Sequence, residues 1–125
     1  MIEKTVTEYL MGRQKDLTFN LLDNALDTVE RVNKLLNMFG QDRKITSGYR
    51  TTAINAAVGG AKKSNHMICK ACDLEDKDGK LDAWCMANLK ILEGIGLWLE
   101  HPDATVGWCH VQTVPPKSGN RVFKP

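Results

Sequence analysis

His66, Asp73 and His110 are the residues of this chain best suited to chemistry. Two imidazoles and a carboxylate are the donor types from which hydrolytic zinc sites are built, with about three protein ligands and one position left open to solvent. His66 and Asp73 close the stretch SGYRTTAINAAVGGAKKSNHMICKACD, Ser47 to Asp73, which also carries Arg50, the Gly59-Gly60 pair and Ser64. His110 stands far downstream, in Gly107-Trp108-Cys109-His110-Val111-Gln112. Side chains alternate across a strand. Read as strands, the two segments put Asp73 on one face with Ala71, and His110 on one face with Trp108 and Gln112. Asp73 and His110 can then meet above one sheet surface, while Cys72 and Cys109 point to the far, buried side. The spacing by itself also fits a loop histidine and a turn aspartate that share no ligand.

The elements that must hold these groups are partly legible. Leu17, Leu21, Leu22, Ala25, Val29, Val32, Leu35, Leu36 and Phe39 recur at spacings of three and four, which predicts an amphipathic helix. Asp16 is its expected N-cap and Gly40 its stop. Residues 1–16 fit either a short strand or a helical turn. Lys44 to Thr46 reads as a short strand, and Thr51 or Thr52 caps a short helix through Ala53, Ala56, Ala57 and Val58 that ends at Gly59-Gly60. Ile68 to Leu74 reads as a strand, Glu75 to Gly79 as a turn with Asp78 as the next cap, and Lys80 to Glu93 as a helix closed by Gly94. Ile95–Glu100 and Trp108–Thr113 read as paired strands, and Val122 with Phe123 as a last short one. Short strands and a few helices without βαβ regularity predict an α+β fold, a small central antiparallel sheet packed by helices.

Bulk composition narrows the classes. The chain has 125 residues, which suits one domain spanning 1–125. Apolar residues make up 42% and charged residues 26%, and 17 basic against 15 acidic residues leave a formal charge of +2. No basic run stands out, so nucleic acid is not an expected partner. No apolar run approaches the ~20 residues that span a bilayer, so no membrane insertion is expected. The start MIEKTVTEYL lacks the apolar core of a signal peptide, which predicts cytoplasmic synthesis and four reduced cysteines, Cys69, Cys72, Cys85 and Cys109. Oligomeric state does not follow from any of this.

Two other readings use the cysteines. Cys69-Lys70-Ala71-Cys72 has redox spacing, but such motifs open a helix beside a βαβ unit. Here the pair falls in an expected strand that sends its sulfurs to opposite faces. A structural zinc site from Cys69, Cys72, Cys109 and His110 is the other alternative, with no second CxxC to support it.

Ser47-Gly48-Tyr49-Arg50 and Asn55, then Ser64-x-His66 and Ala71-x-Asp73, resemble the zinc D-alanyl-D-alanine carboxypeptidase family. That family also holds phage L-alanyl-D-glutamate endopeptidases and D-Ala-D-Ala dipeptidases, and it shares its fold with the hedgehog signalling domain. The segment Gly107 to Gln112 is similar to the family's final-histidine segment, so the likeness covers roughly residues 5 to 123. The resemblance implies one Zn2+ per chain on His66, Asp73 and His110. It implies Arg50 as the arginine that orients polar groups of the bound peptide, with Ser64 near the substrate and Trp108 walling the cleft. The family's general base often lies shortly before the final histidine, where this chain has Gly107, Trp108 and Cys109. Glu100 is then the first choice and Asp103 the second. His101 is read as a strand-end cap, and Lys62 and Lys63 as a solvated loop. The family usually has glycine where this chain has Cys69, which strand alternation puts on the Asp73 side. The implied activity is metal-assisted amide hydrolysis of a peptidoglycan stem peptide, at D-Ala-D-Ala or at L-Ala-D-Glu, by a phage or prophage type of enzyme acting at the wall after release. The alternative is a non-catalytic zinc domain of the same fold with a wall-binding or phage structural role.

Overall fold

The computed structural model describes residues 1–15 and 17–125. The long periodic segment forms α2, Phe19–Phe39, which buries Ala25, Thr28, Val29, Val32, Leu35 and Leu36 along one stripe. Asp16, the expected cap, lies outside the described residues, and the helix is capped by Thr18, whose hydroxyl accepts from Leu21 N at 3.2 Å. Gly40 ends the helix at φ +88°, as expected. The ambiguous N-terminal stretch contains a short helix, α1 (Val6–Leu10), closed by a capping box between Thr5 and Glu8. Its Tyr9 is fully buried and donates its hydroxyl to Ala71 O at 2.6 Å, which pins α1 to the sheet.

The sheet has five strands: β1 Ile45–Ser47, β2 Ala71–Asp76, β3 Trp98–Glu100, β4 Gly107–Gln112 and β5 Val122–Phe123, in the order β1-β2-β4-β3-β5. Three neighbouring pairs are antiparallel, including the expected hairpin of β3 and β4. The α+β class holds, with a correction at one edge: β5 runs parallel to β3. The tail between β4 and β5 is long enough to cross back, which a tight hairpin cannot do. In the β2–β4 ladder Asp73 faces His110 and Leu74 faces Cys109. One side of the sheet is sealed by a core that includes Leu35, Leu74, Leu92, Leu99, Val111, Cys72 and Cys109. The other side carries Asp73, His110 and Gln112.

Three expectations about local structure are corrected. First, β2 begins at Ala71, not Ile68. Asn65–Ile68 is a 3-10 turn, and Cys69 follows it in the left-handed region at φ +59°. Second, the helix expected over Lys80–Glu93 is two helices, α4 (Lys80–Ala87) and α5 (Leu89–Ile95). They break at Asn88, whose amide donates to Trp84 O at 2.8 Å and so competes with the backbone ladder. The stop is Gly96 at φ +86°, not Gly94, so Ile95 ends a helix and β3 starts at Trp98 rather than at Ile95. Third, α4 is not capped chiefly by Asp78, which takes one helix N–H, that of Lys80, at 3.0 Å. The two oxygens of Asp76 take Leu81 N and Asp82 N, each at 2.9 Å. Thr51 caps the short helix α3, Thr52–Ala57. No helix among the described residues is long and apolar enough to cross a membrane.

Candidate metal centre

His66 reaches the open face of the sheet from a turn rather than a strand. Ser64 caps that turn by accepting from His66 N at 3.2 Å. Residues of α2 hold its far end: Asn24 Nδ2 donates to Ile68 O at 3.1 Å and Thr28 Oγ1 to Cys69 O at 2.7 Å. The ring is oriented by the Gly48 carbonyl, which lies 2.8 Å from Nδ1. That contact places the Nδ1 proton on the carbonyl and turns Nε2 toward Asp73 Oδ2, 3.4 Å away. Gly48 must be glycine for this, because a Cβ there would lie 2.0 Å from the Tyr9 carbonyl oxygen.

Asp73 is the meeting point. Its Oδ1 lies 2.7 Å from His110 Nδ1, and its Oδ2 lies 3.5 Å from Arg50 Nη2. Burial alone raises a carboxyl pKa, but the hydrogen bonds from His110 and His66 outweigh it and hold Asp73 well below the usual carboxylate range. Burial lowers His110, and the bond to Asp73 overcomes this and raises it above the ordinary imidazole value. The donor atoms of His66, Asp73 and His110 lie within 4.8 Å of one another, and all three residues are buried. Two imidazoles with second partners already in place, converging on an ionised carboxylate, fit a divalent cation of the zinc type.

Arg50 is braced on the same side. Its Nε donates to Ser47 Oγ at 3.0 Å and its Nη1 to Asn55 Oδ1 at 3.3 Å. Asn55 in turn donates to Ala61 O at 2.8 Å, and a side chain at Gly60 would strike it. The sequence motif that holds Ser47, Arg50 and Asn55 thus folds into one clamp beside Asp73.

The group sits in a cleft of about 430 Å³ whose lining includes Arg50, Lys63, Ser64, Glu100 and Trp108 as well as His66, Asp73 and His110 themselves. Glu100, at the end of β3, is half-buried there, and burial pushes its pKa up. Asp103 does not line the cleft; it lies in the Pro102–Ala104 turn with its side chain 84% exposed and its Oδ2 3.6 Å from His101 Nδ1. His101 caps that turn by accepting from Asp103 N at 3.1 Å. Trp108 is 37% exposed at the cleft's edge.

The cysteine alternatives do not assemble. Among the described residues, the His66–Asp73–His110 group is the one placed to hold a metal. Cys69 is not on the Asp73 face, because it precedes the strand; its side chain is buried in the core with Cys72 and Cys109. All four cysteines are free thiols. Gln112 was visible on the His110 face by strand period, yet nothing in the sequence assigns it a partner. Its Oε1 lies 3.0 Å from His110 Nε2.

A sequence profile of the family Peptidase M15 matches residues 4–103. That span contains Arg50, Ser64, His66, Asp73 and Glu100, and it stops short of His110. No match is found among curated proteins or among solved structures.

Proposed function

The chain belongs to the Peptidase M15 family, and from that premise we propose that it is a zinc peptidase that cuts internal peptide bonds of peptidoglycan stem peptides. The observation that carries this reading is the buried His66–Asp73–His110 group on the floor of an open cleft. Zinc bound there supplies Lewis acidity toward a peptide carbonyl and toward water. Glu100 is the general base: it takes a proton from the attacking water and returns it to the leaving amine. Its raised pKa suits that exchange, since a base works best with a pKa near the operating pH. Arg50, already fixed by Ser47 and Asn55, presents its guanidinium to a carbonyl or carboxylate of the peptide. Ser64 and Trp108 shape the cleft around it.

Space on both flanks supports an endopeptidase over a carboxypeptidase. A second groove of about 410 Å³, lined by Lys44, Thr46, Glu75, Lys77 and Gly107, shares Asp73 and Trp108 with the first. A peptide can therefore extend past Trp108 in both directions, where an enzyme that trims one terminal residue needs a closed end. Mass spectrometry of digests of purified peptidoglycan, with zinc and with chelator, tests the proposal. Zinc-dependent fragments cut between L-Ala and D-Glu are expected. Release of a single terminal D-Ala contradicts the endopeptidase reading, and no cleavage with metal bound favours a wall-binding domain of the same fold. That second reading draws on the absence of an acid immediately before His110.

A further inference from the structure

We infer that Gln112 is a positioning residue that decides which nitrogen His110 turns toward the metal; the inference rests on the metal-site reading above. Gln112 ends β4, is 4% exposed, and stands on the same face as His110. Its side-chain amide has two partners that together leave it a single orientation. Nε2 donates to Val114 O at 2.9 Å, and Oε1 lies 3.0 Å from His110 Nε2. Flipping the amide would set its oxygen against the Val114 carbonyl and its NH2 group against His110. The unflipped amide presents an acceptor to His110, so His110 Nε2 must carry a proton. Nδ1, which faces Asp73 Oδ1 at 2.7 Å, is then the nitrogen available to a cation.

The pairing has a mirror in the other imidazole. At His66 the Gly48 carbonyl holds the proton on Nδ1 and frees Nε2. The two histidines therefore offer opposite nitrogens, each fixed by an acceptor on its far side. Gly48 acts through the backbone and no side-chain change can remove it. Gln112 acts through a side chain, so its contribution can be isolated. A second-sphere acceptor of this kind orients the ring and raises its basicity, and removing one typically weakens metal binding by roughly 10–100-fold.

The test compares zinc affinity, by competition with a chelator, in the wild type, Gln112→Leu and Gln112→Glu. Ring-nitrogen NMR of the zinc-loaded proteins accompanies it. Leucine keeps the volume and removes the acceptor; glutamate keeps an acceptor for His110 Nε2 and removes the donor to Val114. Expected are roughly 10–100-fold weaker zinc binding in Gln112→Leu, near wild-type affinity in Gln112→Glu, and a protonated His110 Nε2 in the wild type. Wild-type affinity in Gln112→Leu overturns the inference, as does a wild-type spectrum with His110 protonated on Nδ1. Should Gln112→Leu fail to fold, Gln112→Glu and the wild-type spectrum still decide. His66→Ala is the control that separates the two readings: if it binds zinc as tightly as the wild type, the metal site itself is wrong. If it loses zinc while Gln112→Leu does not, only the role of Gln112 falls.

Discussion

Asp73 accepts contacts from His110, His66 and Arg50 at 2.7, 3.4 and 3.5 Å, so three side chains with donor nitrogens crowd one carboxylate. That concentration keeps it ionised and leaves proton transfer to another acid. Glu100 is the acid that lines the same cleft, and Asp103, the second choice from sequence, is turned out to solvent. Glu100→Gln is therefore expected to lower kcat on peptidoglycan fragments by roughly 10²–10⁴-fold with zinc affinity unchanged. Asp103→Asn is expected to leave both as they are. Parallel hydrolysis and zinc titrations check this, and the reverse pattern would move the base to Asp103. At this scale the His66–Asp73–His110 group, which the structure brings together, was legible through the family resemblance, since spacing alone fitted unrelated loop and turn residues equally. Gln112 was not, because an amide's role depends on which atoms it meets.

Among the elements, strand alternation located the meeting of Asp73 and His110 correctly, since period two survives small errors in strand ends. It failed for Cys69, because hydrophobic pattern carries no information about the sign of φ. A left-handed residue strains any side chain and suits glycine, which gives a physical reason for the glycine usual in the related enzymes at this position. Cys69→Gly is accordingly expected to be at least as stable as Cys69→Ala, by up to about 1 kcal/mol, in denaturant melts. An alanine variant clearly more stable than the glycine variant would show that the turn carries no such strain.

The start of α4 makes a separate prediction. Asp82 is 5% exposed, and its Oδ1 has no hydrogen-bond partner among the described residues. Burial, with the negative charge of Asp76 adding to it, pushes its pKa from 3.8 up to about 6. A carboxyl raised on folding binds its proton more tightly in the native state, so stability falls as pH rises between those two values. Asp82→Asn should remove that slope and gain on the order of 2 kcal/mol at pH 7. Thermal melts of both proteins from pH 4 to 7 read the difference, and parallel curves would contradict it.

For the molecule as a whole, the three proposed metal ligands come from a turn and two strands, and the family profile ends before the last of them. A cation there ties the Asn65–Ile68 turn to β2 and β4, so binding should report on the entire fold. Zinc at about 100 times its dissociation constant adds roughly 2.7 kcal/mol, which for a chain of this size raises Tm by roughly 10 °C. Chelation should reverse the gain, and His110→Ala should shrink it and demand more zinc to reach it. The overall α+β plan was readable from the long amphipathic helix and the short alternating segments. The parallel edge strand was not, because the direction of β5 is set by how the tail crosses the molecule rather than by its own residues.

X-ray absorption at the zinc edge decides whether one cation is held by His66, Asp73 and His110. A first shell of nitrogen and oxygen only is expected, with the outer scattering of two imidazoles, which falls to one in zinc-saturated His110→Ala. Sulfur in the first shell, or a spectrum indifferent to that substitution, would contradict it.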